Sequence, residues 1–419
     1  MAAGSSAPAQ VAPSGGGSPA GSGGTPAAAP QVSVVPFVRG SGKGKYLIKS
    51  LSGQTLQTTT QDLGPIDVKA YDYMRAIEVT VLTTAAGGAT GTAQPDAPFN
   101  FFTNVSVVQP NGQTMYQVSS GYHAAMIHKY GYYRNWNDPR EDPNFNVSGS
   151  WATFYFRIPF ELDLRDGLGS LPNKDAAAPF QLDLVMNTLS NVFGSSQGTS
   201  PTFKIEAWLE AYDQPPQTLN GMPVQTTPPN MNTLQRWTEQ NITMSTGQFD
   251  ARVRKLGNYV RMLIPIMKNS SSVRIGNNYS GTTALTNANN WADPVQIVLD
   301  EDVKDNITAY DWPRRIWEVY GYGGCVPGTA TTVNAGGTSG TNQVSGATPG
   351  AGMDAAGGLD TGVFPIPYQF DTRSTDENVN FYLPTIESED YLLRGSWGAN
   401  CSKMVMLVNE VLPQGNIFS

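Results

Sequence analysis

Two stretches of this chain read almost alike and stand 208 residues apart, about half of its length. Ile158-Pro159-Phe160-Glu161-Leu162-Asp163-Leu164-Arg165 returns as Ile366-Pro367-Tyr368-Gln369-Phe370-Asp371-Thr372-Arg373. In both, Ile-Pro precedes a run whose aromatic or apolar members fall two apart: Phe160, Leu162 and Leu164, then Tyr368 and Phe370. Period-two alternation is what a strand with one buried face requires, and a proline where a strand starts removes no ladder hydrogen bond. A chain built this way has to place the same kind of strand twice.

The surroundings of each copy agree. Before the first, Tyr122, Met126, Ile127 and Tyr130 recur at helical spacing across 120–133; before the second, Pro313 suits the first turn of a helix across 311–322. Each helix ends on Tyr-Gly-Tyr, here 190 residues apart, and a longer loop after Gly323 supplies the remaining 18. After each copy comes a strand-like run, 203–212 and 404–412. The pattern predicts two tandem versions of one β-rich domain, each with a short helix in a connection.

Within residues 45–213, alternation and turn signals predict about eight strands, around 45–50, 66–69, 77–82, 100–109, 151–156, 158–164, 180–186 and 203–212, with Pro110-Asn111-Gly112-Gln113 as a hairpin turn. Eight short antiparallel strands with long turns suit a two-sheet sandwich of jelly-roll type. Residues 214–233 form a proline-bearing, semi-rigid linker. Residues 234–419 form the second jelly roll, with strands at 260–267 and 294–299 and a Gly-rich insertion at 323–362 that suits a surface projection. The fold class is thus all-β: two tandem eight-stranded jelly rolls.

Residues 1–44 differ in kind. The first 38 hold no charged side chain and are mostly Ala, Gly, Ser and Pro, too little apolar surface to offset chain entropy, so a disordered arm is expected. No basic start leads into an apolar core, so the arm does not read as a signal peptide. Where it ends lies the one basic cluster, Arg39, Lys43, Lys45 and Lys49, either a solvated strand edge or a surface facing an anionic membrane or nucleic acid. The net charge of −8 argues against a nucleic-acid wrapper, since phosphate contacts need clustered bases. No run approaches the roughly 20 apolar residues that cross a bilayer. Cys325 and Cys401 define no disulfide framework and read as free thiols.

Chemistry is sparse. His123 and His128 are five apart on a helix and so face different ways, whereas shared metal binding prefers four. Asp300-Glu301-Asp302 with Asp305 lacks the glycine and ligand spacing of a calcium loop and reads as a charged turn. Glu161 and Asp163, two apart, would share one strand face with nothing to separate their acidities. No catalytic residue, metal ligand or cofactor is expected.

The piece Asp163-Leu164-Arg165-Asp166-Gly167-Leu168-Gly169-Ser170-Leu171-Pro172-Asn173, following an Ile-Pro strand and preceding a strand over 179–187, resembles the first barrel of double jelly-roll major capsid proteins. These build the shells of tailless, membrane-containing icosahedral DNA viruses, the tectivirus-like phages and their relatives. The resemblance covers 45–412 and implies a homotrimer whose six barrels make a pseudo-hexagonal capsomer, with barrel axes along the shell normal. It further implies contacts with neighbouring capsomers, penton and minor capsid proteins, and with the internal membrane through the N-terminal region. It implies location in the virion after assembly in the host cytoplasm, no sequence-specific nucleic-acid binding, and no enzymatic turnover. The composition also fits a phage spike or receptor-binding protein, or a secreted tandem β-sandwich carbohydrate-binding protein or glycoside hydrolase with Trp136, Trp151, Trp208 and Trp291 as sugar platforms.

Overall fold

The computed structural model describes residues 34–85, 96–131, 153–193, 198–229, 233–254, 258–274, 291–308, 311–320, 332–333, 344–345, 360, 362–368, 382–386, 388–398 and 400–412. Among them, the first half contributes β1 (Lys43–Thr55), β2 (Gln61–Val68), β3 (Tyr73–Ala85), β4 (Phe102–Val108), β5 (Thr114–Val118), helix α1 (Gly121–Gly131), β6 (Phe154–Pro159), β7 (Phe180–Met186) and β8 (Thr202–Tyr212). The second contributes β9 (Leu234–Thr243), β10 (Gly247–Arg252), β11 (Tyr259–Lys268), β12 (Val295–Leu299), β13 (Asp302–Ile307), helix α2 (Asp311–Tyr320), β14 (Ile366–Pro367), β15 (Tyr391–Trp397) and β16 (Lys403–Leu412).

Pairing makes each half a jelly roll. In roll one the sheets run β1-β8-β3-β6 and β2-β7-β4-β5; in roll two they run β9-β16-β11-β14 and β10-β15-β12-β13. Adding eight to every strand of the first roll reproduces the second, and in both the helix follows the fifth strand. The chain is a double jelly roll.

The two Ile-Pro stretches are the sixth strand of each roll. Ile158 and Pro159 pair with Ile77 and Ala76; Ile366 and Pro367 pair with Leu263 and Met262. Both strands lie at a sheet edge, where a missing N–H leaves no ladder bond unmade. A second repeat accompanies them: Leu171-Pro172 pairs with Met74 and Tyr73, and Leu383-Pro384 with Val260 and Tyr259.

Two sequence expectations need correction. A strand over 151–156 and another over 158–164 are in fact one strand, β6, that ends at its proline. Phe160 and Glu161 both donate their backbone N–H to Arg75 O (2.9 and 3.0 Å), and Leu162 N turns back onto Leu168 O (2.7 Å), so the chain leaves the ladder. Glu161 and Asp163 therefore share no strand face. Glu161 is buried against Arg75 and Tyr212, while Asp163 holds Arg165 across the turn. The eighth strand is β5, reached through a turn at Gly112, whose positive φ of 82° a side chain would strain.

The rolls are joined by sheet as well as by chain. β5 of roll one and β9 of roll two lie parallel and bridge at Tyr116 and Trp237, so β14-β11-β16-β9-β5-β4-β7-β2 is one continuous sheet. The connection between them folds back as a hairpin of Thr218–Leu219 on Met222–Pro223, and Val35 pairs in parallel with Val224 beside it.

Burial follows from that join. The core of roll one includes Ile77, Val79, Val105, Phe154, Phe156 and Leu209, and it continues without a break into Trp237, Met262, Ile264, Ile266, Val405 and Leu407 of roll two. The separate core of roll two holds Leu263, Trp291, Ile297, Trp312, Leu393, Met406 and Val408. Sheet β9-β16-β11-β14 is thus covered on both faces, and β11 and β16 are buried almost end to end. Strands buried on both faces read as continuous apolar runs.

Candidate functional site

The densest chemistry lies on the seam between the rolls, around α1. All eleven residues of this helix are buried, because it packs inside roll one on one side and against β11 and β16 of roll two on the other. Gly131 closes it where no side chain fits: a Cβ would stand 2.5 Å from the Trp237 ring. Its polar residues are therefore desolvated, and each needs a partner.

Several of those partners come from roll two. Lys129 Nζ lies 2.6 Å from Asp360, which also accepts from Tyr130 OH at 2.8 Å. Arg261 of β11 donates to Gly131 O (2.7 Å) and to Asn409 Oδ1 (2.5 Å). Asn409 donates to Gln235 (3.2 Å), and Gln235 to Glu161 O (3.1 Å). Glu161 in turn accepts from Arg75 Nε (2.9 Å) and Tyr212 OH (2.5 Å). A single hydrogen-bonded path thus crosses from one roll to the other.

At the other end of α1, Glu239 of β9 accepts from Ser119 N (2.8 Å) and Ser119 Oγ (2.6 Å) and sits 2.9 Å from His123 Nδ1. Lys268 Nζ lies 3.5 Å from His123 Nε2, and Arg274 donates to Asp96 at 2.5 Å with its guanidinium 4.2 Å from the centre of the Tyr122 ring. Burial, helped by the nearby Lys268 charge, holds His123 below the usual histidine range although Glu239 opposes the shift. Burial alone would raise the Glu239 carboxyl, but the bonds from His123 and Ser119 outweigh it and bring it down to about 2. Asp96 is likewise pushed up by burial and carried below its ordinary value by Arg274 and Lys268.

This arrangement fastens the two rolls together. Ser119 Oγ donates to Glu239 and not to His123, so this hydroxyl is held by the carboxylate and is not aligned on the imidazole. His128 points elsewhere, toward the Tyr155 ring at 5.6 Å, so the two histidines do not converge. Among the described residues no group of three or more His, Cys, Asp and Glu could hold a metal ion, and no helix is long and apolar enough to cross a membrane. The acidic stretch is the β12–β13 turn: Asp300 accepts from Glu389 N and Asp390 N, and Asp305 holds Arg315. Cys401 is buried, its thiol pushed up to about 12 by that burial; Cys325 lies outside the described residues.

The basic cluster is spread out. Arg39 is exposed on a helical turn, Phe37–Gly40, while Lys43, Lys45 and Lys49 are exposed along β1. Lys45 pairs with Glu78 at 2.7 Å above the Trp208 ring, and Lys43 lies 5.7 Å from the centre of the Tyr212 ring. Arg157 joins Glu78 to Glu210 at 2.9 and 2.8 Å. The outer face of β1-β8-β3-β6 is thus a mixed-charge lattice. Of the sugar-platform tryptophans, Trp291 is buried and stacked on Phe364 at 3.7 Å, Trp208 lies under Lys45, and Trp136 and Trp151 fall outside the described residues. Where β5 and β9 part, a groove of about 310 Å³ is lined by amides, hydroxyls, Glu239, Arg236 and Arg254, with Trp237 buried among them.

The seam residues escape a reading based on motifs. The available signal is Arg261 inside Val260-Arg261-Met262-Leu263-Ile264 and Asn409-Glu410 inside Leu407-Val408-Asn409-Glu410-Val411: polar groups in runs otherwise buried on both faces.

No family model matches the sequence, and no curated protein matches it. Solved structures do. The STIV MCP superposes with a TM-score of 0.55 at 14% identity, covering 88% of this chain and 97% of that one. The atomic structure of Sulfolobus Turreted Icosahedral Virus gives 0.53 at 11%, covering 88% and 91%. The major capsid protein P2 from bacteriophage PM2 gives 0.48 at 9%, covering 90% and 99%. The first two likenesses extend the double jelly-roll assignment over nearly the whole chain.

Proposed function

We propose that the chain is the major capsid protein of a tailless icosahedral DNA virus with an internal membrane, of the tectivirus-like kind. Three copies assemble into a pseudo-hexagonal capsomer that tiles the shell of the virion. The observation that carries this reading is the pair of identically wired rolls joined through one sheet, in a fold shared with the STIV MCP over 88% of the chain. Two like barrels per chain, taken three times about an axis, present six similar blocks, and hexagonal blocks tile a facet. A seam whose acids and bases fasten the rolls together suits a brick better than a reagent, so the work is packing and not turnover. Neighbouring capsomers, penton and minor capsid proteins are the partners.

In this reading residues 1–44 form an arm, 45–213 and 234–419 the two barrels, and 214–233 their linker. Arg39, Lys43, Lys45 and Lys49 face the internal membrane at the foot of the capsomer, where anionic headgroups attract cations. The protein gathers in the host cytoplasm before assembly and reads no nucleic-acid sequence. Light scattering on the size-fractionated protein tests the proposal: a trimer or larger closed assembly is expected, and a stable monomer at micromolar concentration would sink it. Deleting 1–33, short of the Val35–Val224 bridge and the buried Phe37, should leave the trimer folded, and replacing Arg39, Lys43 and Lys49 by Ala should weaken attachment to anionic vesicles.

A further inference from the structure

Beside the join of the two rolls, two positive charges go unanswered. β5 and β9 bridge at one residue pair, Tyr116 and Trp237, and the groove of about 310 Å³ opens where their edges diverge. Its walls carry Arg236 and Thr238 of β9, Thr114 and Gln117 of β5, Asn104 of β4, and Arg254 just past β10. We propose that this groove binds a small phosphate-bearing ligand, inorganic phosphate or a phosphomonoester, between the guanidinium groups of Arg236 and Arg254. The site is complete within one chain and so stands apart from the trimeric reading.

Charge pairing singles these arginines out. Acids outnumber bases by 34 to 26, and Arg75, Arg157, Arg315 and Arg394 hold carboxylates at 2.5 to 3.0 Å. Among the described residues neither Arg236 nor Arg254 has a carboxylate partner, and the buried Nε of Arg236 has no acceptor. A buried donor left without an acceptor is destabilising, the more so when charged. Glu239, the acid that lines the groove, is already engaged by Ser119 and His123. Gln240 meanwhile keeps Arg254 at the rim: its amide donates to Arg252 O (2.9 Å) and accepts from Arg254 N (2.7 Å), which pins the end of β10 to β9.

The other walls add donors to the two guanidinium groups. The side chains of Asn104, Thr114, Gln117 and Thr238 make no hydrogen bond among the described residues, which leaves amide N–H and hydroxyl groups available. Phosphate matches such a set: it carries close to two negative charges at neutral pH, presents several acceptor oxygens, and takes paired bonds from guanidinium. A monocarboxylate would answer only one of the two arginines. The volume lies at the lower end of that of small-molecule sites, enough for a phosphate with a short ester arm.

Isothermal titration of the full chain with inorganic phosphate and with glycerol 3-phosphate tests the assignment, acetate and glycerol serving as controls. Both phosphates should bind with a dissociation constant on the order of 1 mM or tighter, and both controls at least about tenfold more weakly. Tighter binding of glycerol 3-phosphate would identify the monoester as the ligand, and tighter binding of inorganic phosphate the free ion. Arg236→Gln should weaken phosphate binding at least about tenfold. Arg254→Gln, at an exposed position, should weaken it about threefold or more while leaving the melting of the ligand-free chain unchanged. Any one of three results would overturn the assignment: no heat of binding with either phosphate, acetate bound as tightly as phosphate, or phosphate binding unaltered in both variants.

Discussion

Roll one and roll two share every strand connection but not the polarity of the sheet that contains their first, eighth, third and sixth strands. In roll one its outer face meets solvent within the chain, and β8 alternates: Phe203, Ile205, Ala207 and Leu209 point inward while Lys204, Glu206, Trp208 and Glu210 point outward. In roll two the same face lies under α1, and Ile264, Ile266, Val405 and Leu407 take the equivalent positions. Wiring is therefore indifferent to this face, and the side-chain pattern on it reports the neighbour. The comparison teaches that a duplicated fold carries its assembly history in the strands that stop alternating.

The sharpest test puts one substitution at equivalent sites. Ile266 pairs with Val405 and Thr80 with Glu206. Ile266→Arg buries an unpaired charge and should cost on the order of 5 kcal/mol or prevent folding, while Thr80→Arg should stay within about 0.5 kcal/mol. Equal effects in urea unfolding would break the comparison.

Next in size are the wedges. Trp237→Ala opens the join between the rolls, and Phe160→Ala empties a buried site just past β6; each should cost about 3 to 5 kcal/mol in the same assay. Asp360→Ala leaves Lys129 buried without its carboxylate and should cost about 3 kcal/mol.

Acid should loosen the seam before it touches that outer face. His123 is held below its unfolded value of 6.5, so below that pH the unfolded chain takes up a proton that the fold resists. Stability contributed there is complete above pH 6.5 and falls as pH drops through the folded value. Glu239, depressed from 4.5 to about 2, adds a further loss between those limits as pH falls. Melting temperature followed against pH should show the first loss in the native chain and a flatter course in His123→Gln. The smallest effect belongs to Lys45→Ala: its pair with Glu78 is 44% exposed on the lysine side, and removing it should change stability by less than about 1 kcal/mol.

Much of the fold was legible beforehand because it depends on local chemistry. The two helices, the hairpin at Gly112 and the strands β8, β11, β12 and β16 each follow from spacing or turn residues within a dozen positions. The Ile-Pro echo located the sixth strand of both rolls, although its proline ends the strand instead of starting it: a backbone donor pair to Arg75 O, set by distant sequence, pulls the chain off the ladder. β5 was passed over because Thr114-Met115-Tyr116-Gln117-Val118 is short and blends into the helix that follows. The basic cluster was visible as a composition, but that Lys45 is spoken for by Glu78, 33 residues away, was not.

Composition and periodicity were enough to settle that the chain is all-β, that it is built twice, and that a helix follows the same strand in each half, since each of these is written in residues close together along the chain. Which face of the second roll is dry, why α1 is buried on every side, and how Arg261, Asn409, Gln235 and Glu161 form one path between the rolls came only with the three-dimensional arrangement. The reason is physical: the cost of burying a charge or a helix is set by what stands against it, and here that is a sheet more than a hundred residues away.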